Sequence, residues 1–486
     1  MSKILNQLKP QLVWDIFESI CQVPRPSKHE EKIQAWTLNF AKEHGIEAFQ
    51  DKAGNVILRK PATPGYENLK GVVLQSHLDM VPQKNNDTVH DFLTDPIKPR
   101  IDGEWVKATG TTLGADNGIG MASSLAVLVS PEVKHGPIEC LITFDEETGM
   151  TGAFELEPGI LKGDILINLD SEDFGEIFIG CAGGINTIAK ININQQPADK
   201  SAAAFKVTVK GLKGGHSGLE IHLGRGNANK VINRLLWTAN KKFDLSIAFV
   251  DGGTLRNAIP REAFAVVTVA ANEKEGFVKF VNEYSAIVKN ELATTDAGVL
   301  ISAEACDVPA TVMDKKGMNN YLNAVYACPN GVWGMSADMP GLVETSNNVA
   351  IVKSDAEYVT IETLQRSSVD TQKDDIVNAI AAVFELAGAE IEQSGSYPGW
   401  KPNVHSEILQ TMLKVYKDKY GNEPKIQSVH AGLECGLLGK VYPNWDMISF
   451  GPTIRSPHSP DEKVHIESVE KFWNYLVDTL QNIPKK

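Results

Sequence analysis

Three consecutive acids, Asp145, Glu146 and Glu147, close the stretch LITFDEETG (141–149). Adjacent carboxylates repel one another, and these end an apolar run that reads as a buried strand. A cation, or a proton that has to be moved, gives such a cluster a use. Neighbouring residues point in different directions, so Glu147 can bind a metal while Glu146 acts as a base on water held there. Further positions offer matching chemistry. In SHLDM (76–80), His77 and Asp79 lie two apart, which on a strand puts both on one face. Asp79 can then hold the imidazole in one tautomer while the other ring nitrogen takes a metal. A lone H-x-D is common on surfaces, so this pair needs company.

Asp116 supplies some of it, in the Gly-rich turn of TTLGADNGIGMA (111–122). That turn precedes a helix whose backbone N–H groups can brace a carboxylate. Asp116 or Asn117 can equally be an ordinary N-cap. A phosphate-binding turn fits poorly, because the acid repels phosphate and no Lys follows. Asp170 ends ILINLD, and His458 follows the last apolar strand in a loop stiffened by Pro457 and Pro460. Two His and three carboxylates at strand ends, with two spare acids, match what two metal ions need when one carboxylate bridges them. Nitrogen and oxygen donors without thiolate point to zinc, with cobalt or manganese as substitutes.

The elements around these residues explain how they would be positioned. GVVLQSHLDM (71–80), PIECLITFDEE (137–147) and DILINLDSE (164–172) each read as a buried strand ending in polar residues. GIGMASSLAVLVS (118–130) reads as a helix between the first two. Alternating strand and helix imply an α/β domain, with functional groups at the carboxyl ends of a mostly parallel sheet. The same texture returns near the C-terminus, in IQSVHAG, DMISFGP and a closing helix, ESVEKFWNYLVDTLQNI.

The middle differs. FKVTVKGL (205–212), FAVVTVAA (264–271) and EYVTIETLQ (357–365) alternate apolar and polar residues, as strands with one buried face do. GFVKFVNEYSAIVKNEL (276–292) and DDIVNAIAAVFELAG (374–388) read as helices between them. A faint internal echo, TLRN (254–257) and TSNN (345–348), each ahead of such a strand, suggests two related halves. The expected architecture is a catalytic α/β domain, 1–185 and 396–486, with an inserted α+β lid domain of two related halves, 186–395.

Length and composition bound the rest. With 486 residues, 42% of them hydrophobic, the chain can bury a large core and is too long for one compact unit. Its formal net charge is −14, from 61 acids against 47 bases. That balance argues against nucleic acid or an anionic membrane as partner. Six cysteines are scattered without a CxxC pair, the usage of reduced thiols in a cytoplasm. The opening MSKILNQLKPQLVWDIFESI reads as an amphipathic helix without the continuous apolar core of a signal peptide. No run of about 18 apolar residues offers a membrane span. The expectation is a soluble, cytoplasmic enzyme. A nucleotide-binding α/β enzyme is disfavoured, since no G-x-G-x-x-G follows a first strand.

Taken in order, HLD (77–79), GADNG (114–118), DEETG (145–149), NLDSE (168–172) and PHS (457–459) resemble the signature motifs of one family. It is the co-catalytic metallopeptidase family that includes carnosinase, aminoacylase, carboxypeptidase G and bacterial tripeptidase. HAGLECG (430–436), GGTLRNAIPREAFA (252–265), VPQKNNDTVHDF (81–92) and KGLKGGHSG (210–218) are similar to its bacterial aminoacyl-histidine dipeptidase branch, and the likeness runs essentially end to end. The resemblance implies two zinc ions bridged by Asp116, one completed by His77 and Asp170, the other by Glu147 and His458. It makes Glu146 the general base and Asp79 the partner of His77. In the lid, it implies that His216 steadies the reacting carbonyl oxygen and that Asn257 and Arg366 bind substrate. His430 and Glu434, from HAGLECG, are read as lining the pocket. The implied substrate is a small unblocked dipeptide, Xaa-His and β-alanyl-histidine included. An amidohydrolase acting on N-acyl amino acids would use the same metal centre. The family's lid is often short and dimerising; this one is long, which leaves a homodimer open. His29 and His44 read as surface residues, while His222 and His465 stand near the site without an assigned role.

Overall fold

The computed structural model describes residues 4–486. The chain divides into two units: Met1–Gly180 with Pro402–Ser428 and Leu433–Lys486, and Cys181–Lys401 with Val429–Gly432. Each has its own sheet. The fold is mixed α/β.

The first unit is built on eight strands: Glu47–Gln50 (β1), Val56–Lys60 (β2), Val72–His77 (β3), Ile138–Thr143 (β4), Ile165–Asn168 (β5), Glu176–Cys181 (β6), Lys425–Val429 (β7) and Asp446–Ser449 (β8). Their spatial order is β1-β2-β4-β3-β5-β8-β6-β7. The central four, β4-β3-β5-β8, run parallel. Every residue of β3, β4 and β5 is buried, which is why these runs are mostly apolar rather than alternating. The Ala115–Val129 helix is buried along nearly its whole length, with the Gln11–Cys21 helix packed on it. Parallel strands put their carboxyl ends on one edge, where His77 ends β3 and the acids 145–147, Asp170 and His458 follow β4, β5 and β8. That edge is where ligands bind in open α/β sheets.

The second unit holds two halves of one design. Ala203–Lys210, a helix at Ala228–Ala239, Ser246–Gly252, Ala263–Val269, a helix at Lys274–Glu291 and Leu300–Cys306 make a strand-helix-strand-strand-helix-strand run. Gly183–Asn192, a helix at Lys315–Ala327, Val343–Ser354, Tyr358–Ser367, a helix at Asp370–Leu386 and Glu390–Tyr397 repeat it. The sheet order is fourth-first-third-second in one half and second-third-first-fourth in the other. Asp251 pairs with Lys353 and Gly252 with Val352, joining the two second strands antiparallel. One hydrophobic core runs under both halves. The first half is inserted between the first strand and first helix of the second, a nesting that no local pattern announces.

Three local readings shift. The N-terminal helix spans only Gln11–Cys21. Pro10 occupies its cap position, where a residue without an N–H cannot extend a helix backward; Met1–Lys3 lie outside the described residues. TSNN does precede the strand Tyr358–Ser367, but it lies inside another, the twelve-residue strand Val343–Ser354, and not in a connection. Its polarity masks it: Thr345, Ser346, Asn347 and Asn348 are all buried, satisfied by partners such as Ser367 Oγ, Pro329 O and Ala258 O. The reading of IQSVHAG as one strand also shortens, because β7 stops at Val429 and His430 falls in the second unit.

Candidate metal centre

Both histidines predicted to bind metal meet the same carboxylate. His77 Nε2 lies 3.2 Å from Asp116 Oδ1, and His458 Nε2 lies 3.1 Å from Asp116 Oδ2. Each oxygen of one side chain therefore faces a different imidazole. Asp170 Oδ1 is 3.5 Å from His77 Nε2, and Glu147 Oε2 is 2.9 Å from His458 Nε2. Potential ligand atoms of His77, Asp116 and Asp170 all fall within 4.8 Å of one another, as do those of Asp116, Glu147 and His458. A third set, His77, Glu146 and Glu147, satisfies the same limit, which places Glu146 beside the cluster. On the far side of the ring, His77 Nδ1 is 3.3 Å from Asp79 Oδ1 and 3.2 Å from the Asp79 carbonyl. With Nδ1–H donated there, Nε2 keeps its lone pair for a cation.

Asp79 does a second job. Its Oδ1 accepts the N–H of Glu146 at 3.1 Å, and its Oδ2 accepts that of Glu147 at 3.2 Å. One buried carboxylate thus orients the histidine and the two acids that follow β4. Asp145, first of the three acids, takes no part. Its φ of 51° lies in the left-handed region, and its carboxylate accepts the hydroxyls of Thr148 and Thr151. It shapes the turn that presents Glu146 and Glu147. His458, also left-handed at φ 58°, carries a conformation that costs a non-Gly residue roughly 1–3 kcal/mol.

The charge balance fits cations. Burial, above all, raises Glu146 well above the usual carboxylate range, with Glu434, Asp170 and Glu147 adding to it against the pull of His77. Asp170 is pushed up to about 7, again chiefly by burial. Hydrogen bonds donated to Asp116 and Glu147 drive His458 up to about 11. Glu147 Oε1 is buried without a hydrogen-bond partner, and Asp170 Oδ1, also buried, has only the long 3.5 Å contact with His77 Nε2. Carboxylate oxygens left unpaired in a dry site are expensive, and divalent cations are the partners that two imidazoles and several carboxylates suit.

Sequence reasoning missed the residues that hold this geometry. Glu462 lies in the same hairpin loop as His458, between Ile454–Arg455 and Lys463–His465. Its carboxylate is buried and accepts four backbone N–H groups: Leu113 and Gly114 at 2.8 and 2.9 Å, Ala115 and Asp116 at 2.7 and 3.2 Å. The buried Arg25 donates to the carbonyls of Leu78, at 2.9 Å, Asp79, at 2.6 Å, and Gly114. It ties the end of β3 to the Asp116 turn. Gly114 is left-handed at φ +72°, and a Cβ there would meet Arg25 Nη2 at 2.7 Å, so only glycine lets the guanidinium approach. Glu434, which the sequence did place in the pocket lining, is buried and accepts from Gln75 at 2.6 Å and Thr143 at 2.9 Å. No local signal marks Glu462 or Arg25, since each acts on segments far away in sequence. Glu462→Gln loses two acceptor sites for four donors, and its metal affinity is expected to fall roughly 10- to 100-fold with the far-UV spectrum unchanged. Chelator competition measures it, and wild-type affinity would remove Glu462 from this role.

The lid residues gather separately, within the second unit. His216 Nδ1 accepts the N–H groups of Gly218 and Leu219 at 3.1 and 3.0 Å, so its proton sits on Nε2. A Cβ at Gly218 would lie 2.1 Å from the His430 backbone carbonyl, 3.0 Å from His216 Cε1 and 3.2 Å from Arg366 Nε; the three residues surround this glycine. Arg366 donates to Tyr397 Oη at 3.0 Å, while its Nε has no partner. His430 is buried and 2.7 Å from Ser346 Oγ, and burial, ahead of the charge on Arg366, pulls it down to about 3. Asn257 is exposed beside them, its carbonyl accepting Ser217 N–H at 2.9 Å. His29, His44 and His222 are exposed. His465 caps the closing helix through Ser468 and lies edge-on to Trp105.

Fold and site together define a metal-dependent hydrolase. Residues 73–482 match the profile of peptidase family M20/M25/M40, and the chain belongs to that family. It is 50% identical over 482 residues to the cytosol non-specific dipeptidase of Escherichia coli (strain K12), covering 99% of each chain. Among solved structures it is similar to the aminoacylhistidine dipeptidase of Vibrio alginolyticus, at 50% identity and a TM-score of 0.97, covering 100% of this chain and 99% of that one. Aminopeptidase PepT of Bacillus cereus ATCC 10987 shares the fold at 17% identity and a TM-score of 0.57, over 98% and 99% of the two chains. The chain is a metallopeptidase, and the two relatives at 50% identity are named dipeptidases. No helix among the described residues is long and apolar enough to cross a membrane.

Proposed function

We propose that the protein is a cytoplasmic dipeptidase that works with two zinc ions and cleaves unblocked dipeptides, Xaa-His among them. The observation that carries this reading is Asp116, whose two oxygens each face one histidine, at 3.2 and 3.1 Å. His77, Asp116 and Asp170 would hold one ion, and Asp116, Glu147 and His458 the other. When bound, two such cations polarise a scissile carbonyl and bring the pKa of water toward neutrality.

Glu146 takes the proton of the attacking water and delivers it to the departing amine. Its burial among carboxylates favours the protonated form, so it can hold that proton between the two transfers. His216 is neutral with its proton on Nε2, a donor for the carbonyl oxygen as negative charge develops there, worth roughly 3–4 kcal/mol for one well-aimed group. Arg366 is buried and forms no ion pair among the described residues, which suits it to a substrate's terminal carboxylate. Asn257 and His430 complete the contacts to the bound peptide. The names of the full-length relatives support a dipeptide as substrate.

A substrate panel tests the assignment. Ala-His and β-alanyl-histidine are expected to exceed N-acetyl amino acids by at least about 100-fold in kcat/KM, because a site built to pair polar groups rejects ligands that leave them unpaired. Faster turnover of the N-acetyl compounds would make the enzyme a deacylase on the same metal centre.

A further inference from the structure

Arg366 lies near the end of the strand Tyr358–Ser367 and is only 5% exposed. A buried guanidinium is costly unless its N–H groups find acceptors. One of them does, since Nη1 donates to Tyr397 Oη at 3.0 Å. Nε, also buried, has no partner among the described residues. A planar guanidinium offers a carboxylate two edges, Nη1–Nη2 at its end and Nε–Nη2 along its side. With Nη1 engaged, the side edge is the one left whole. That edge opens beside Gly218. A Cβ there would sit 3.2 Å from Nε and 3.0 Å from His216 Cε1, so the missing side chain is what leaves Nε uncovered.

Tyr397 is itself held from several sides. It ends the strand Glu390–Tyr397 and pairs with Gly184. Two glycines make room for its ring: a Cβ at Gly184 would lie 2.7 Å from Tyr397 Oη, and one at Gly432 would lie 3.0 Å from Cε2. The Tyr397 carbonyl accepts Lys373 Nζ at 2.7 Å. That buried ammonium also pairs with Asp370 at 3.1 Å, and Asp370 accepts the Gly399 N–H at 3.0 Å. The phenol therefore meets the guanidinium from a fixed position. It is an uncharged acceptor, which orients the cation without neutralising it as a carboxylate would. The full charge of Arg366 stays available for a ligand.

We propose that Tyr397 is a positioning residue for substrate: its hydroxyl holds Arg366 Nη1 so that the Nε–Nη2 edge, opened by Gly218, meets the terminal carboxylate of the dipeptide. The assignment rests on Arg366 being the group that receives that carboxylate. Tyr397 touches the substrate only through Arg366, so its removal matters for ligands that carry the carboxylate and not for those that lack it.

Kinetics of the metal-loaded enzyme with Ala-His, and inhibition of that reaction by the amide-capped dipeptide Ala-His-NH2, test this. Tyr397→Phe is expected to lower kcat/KM for Ala-His at least tenfold and to leave the inhibition constant of the amide within about twofold. Phe keeps the ring that Gly184 and Gly432 accommodate, so metal content and far-UV spectrum are expected to match wild type. Equal weakening of acid and amide would make Tyr397 a support of the fold alone, and no change in either would make it idle; both results overturn the proposal. Arg366→Met separates Tyr397 from the reading it rests on. If Arg366→Met erases the advantage of the acid over the amide and Tyr397→Phe does not, Tyr397 alone is wrongly assigned. If the advantage survives Arg366→Met, the carboxylate is bound elsewhere and both assignments fall.

Discussion

The Glu146→Ala enzyme is expected to keep its full complement of metal and lose turnover by at least about 100- to 10,000-fold, the range over which a positioned general base acts. The separation of the two effects follows from how the acids after β4 are held. Asp79 fixes residues 146 and 147 through their backbone N–H groups, so removing the Glu146 side chain leaves that turn in place. Glu147, with Oε2 at 2.9 Å from His458 Nε2, stays where it is. Removing Glu146 also relieves a crowded set of carboxylates, since Glu434, Asp170 and Glu147 all raise it; thermal stability should hold or rise. Metal analysis beside steady-state kinetics reads both quantities. An Ala variant with near wild-type kcat would end the assignment of Glu146 as base, and one stripped of metal would recast it as a ligand.

Asp116→Ala is expected to do the reverse: both ions are lost together, with affinity down by more than about 100-fold, beyond the 10–100-fold typical of residues that only support a ligand. No other described acidic side chain lies within 4.0 Å of both histidines. Stepwise loss, with one ion retained at wild-type affinity, would show that Asp116 serves a single site. The same centre makes metal binding depend on pH with a definite sign. Without metal, His458 is protonated below about 11 and Asp170 below about 7. Metal must displace those protons. Affinity therefore rises with pH, most steeply where Asp170 and the histidines still carry protons, at and below neutrality, and more gently above about pH 7, where the histidines alone contribute, His77 also being raised by its carboxylates against burial. Calorimetry in buffers of different ionisation enthalpy counts the protons released. A flat affinity from about pH 6 to about pH 8 would contradict the tight histidine–carboxylate contacts on which both expectations stand.

The parts of the site that share one segment were legible in the chain. His77 ends β3 and Asp79 follows two residues on, so period-two geometry along the extended stretch predicts that they meet a common centre. The buried run Leu141 to Phe144 announces a strand end at the acids that follow. Alternating strand and helix then imply one edge on which such ends collect. The mixed α/β class followed from the same alternation. For the lid, the echo matched the third strands of the two halves, Ala263–Val269 and Tyr358–Ser367, although TLRN follows a strand and TSNN lies within one.

Other features were decided only when the chain closed on itself. Whether Asp145, Glu146 or Glu147 would face the cluster depended on a left-handed turn locked by Thr148 and Thr151. Which oxygen of Asp116 met which histidine depended on Glu462, an acid more than three hundred residues further along that gathers four backbone N–H groups of the Asp116 turn. Arg25 and Glu434 work in the same way, across 53 to 89 and 291 to 359 positions. The reason is physical. Hydrophobic period and turn chemistry act between near neighbours, and they suffice to choose strands, helices and the residues at their ends. A buried charge is placed by the groups that satisfy it, and those come from wherever the topology brings them, a pairing no stretch of sequence displays on its own.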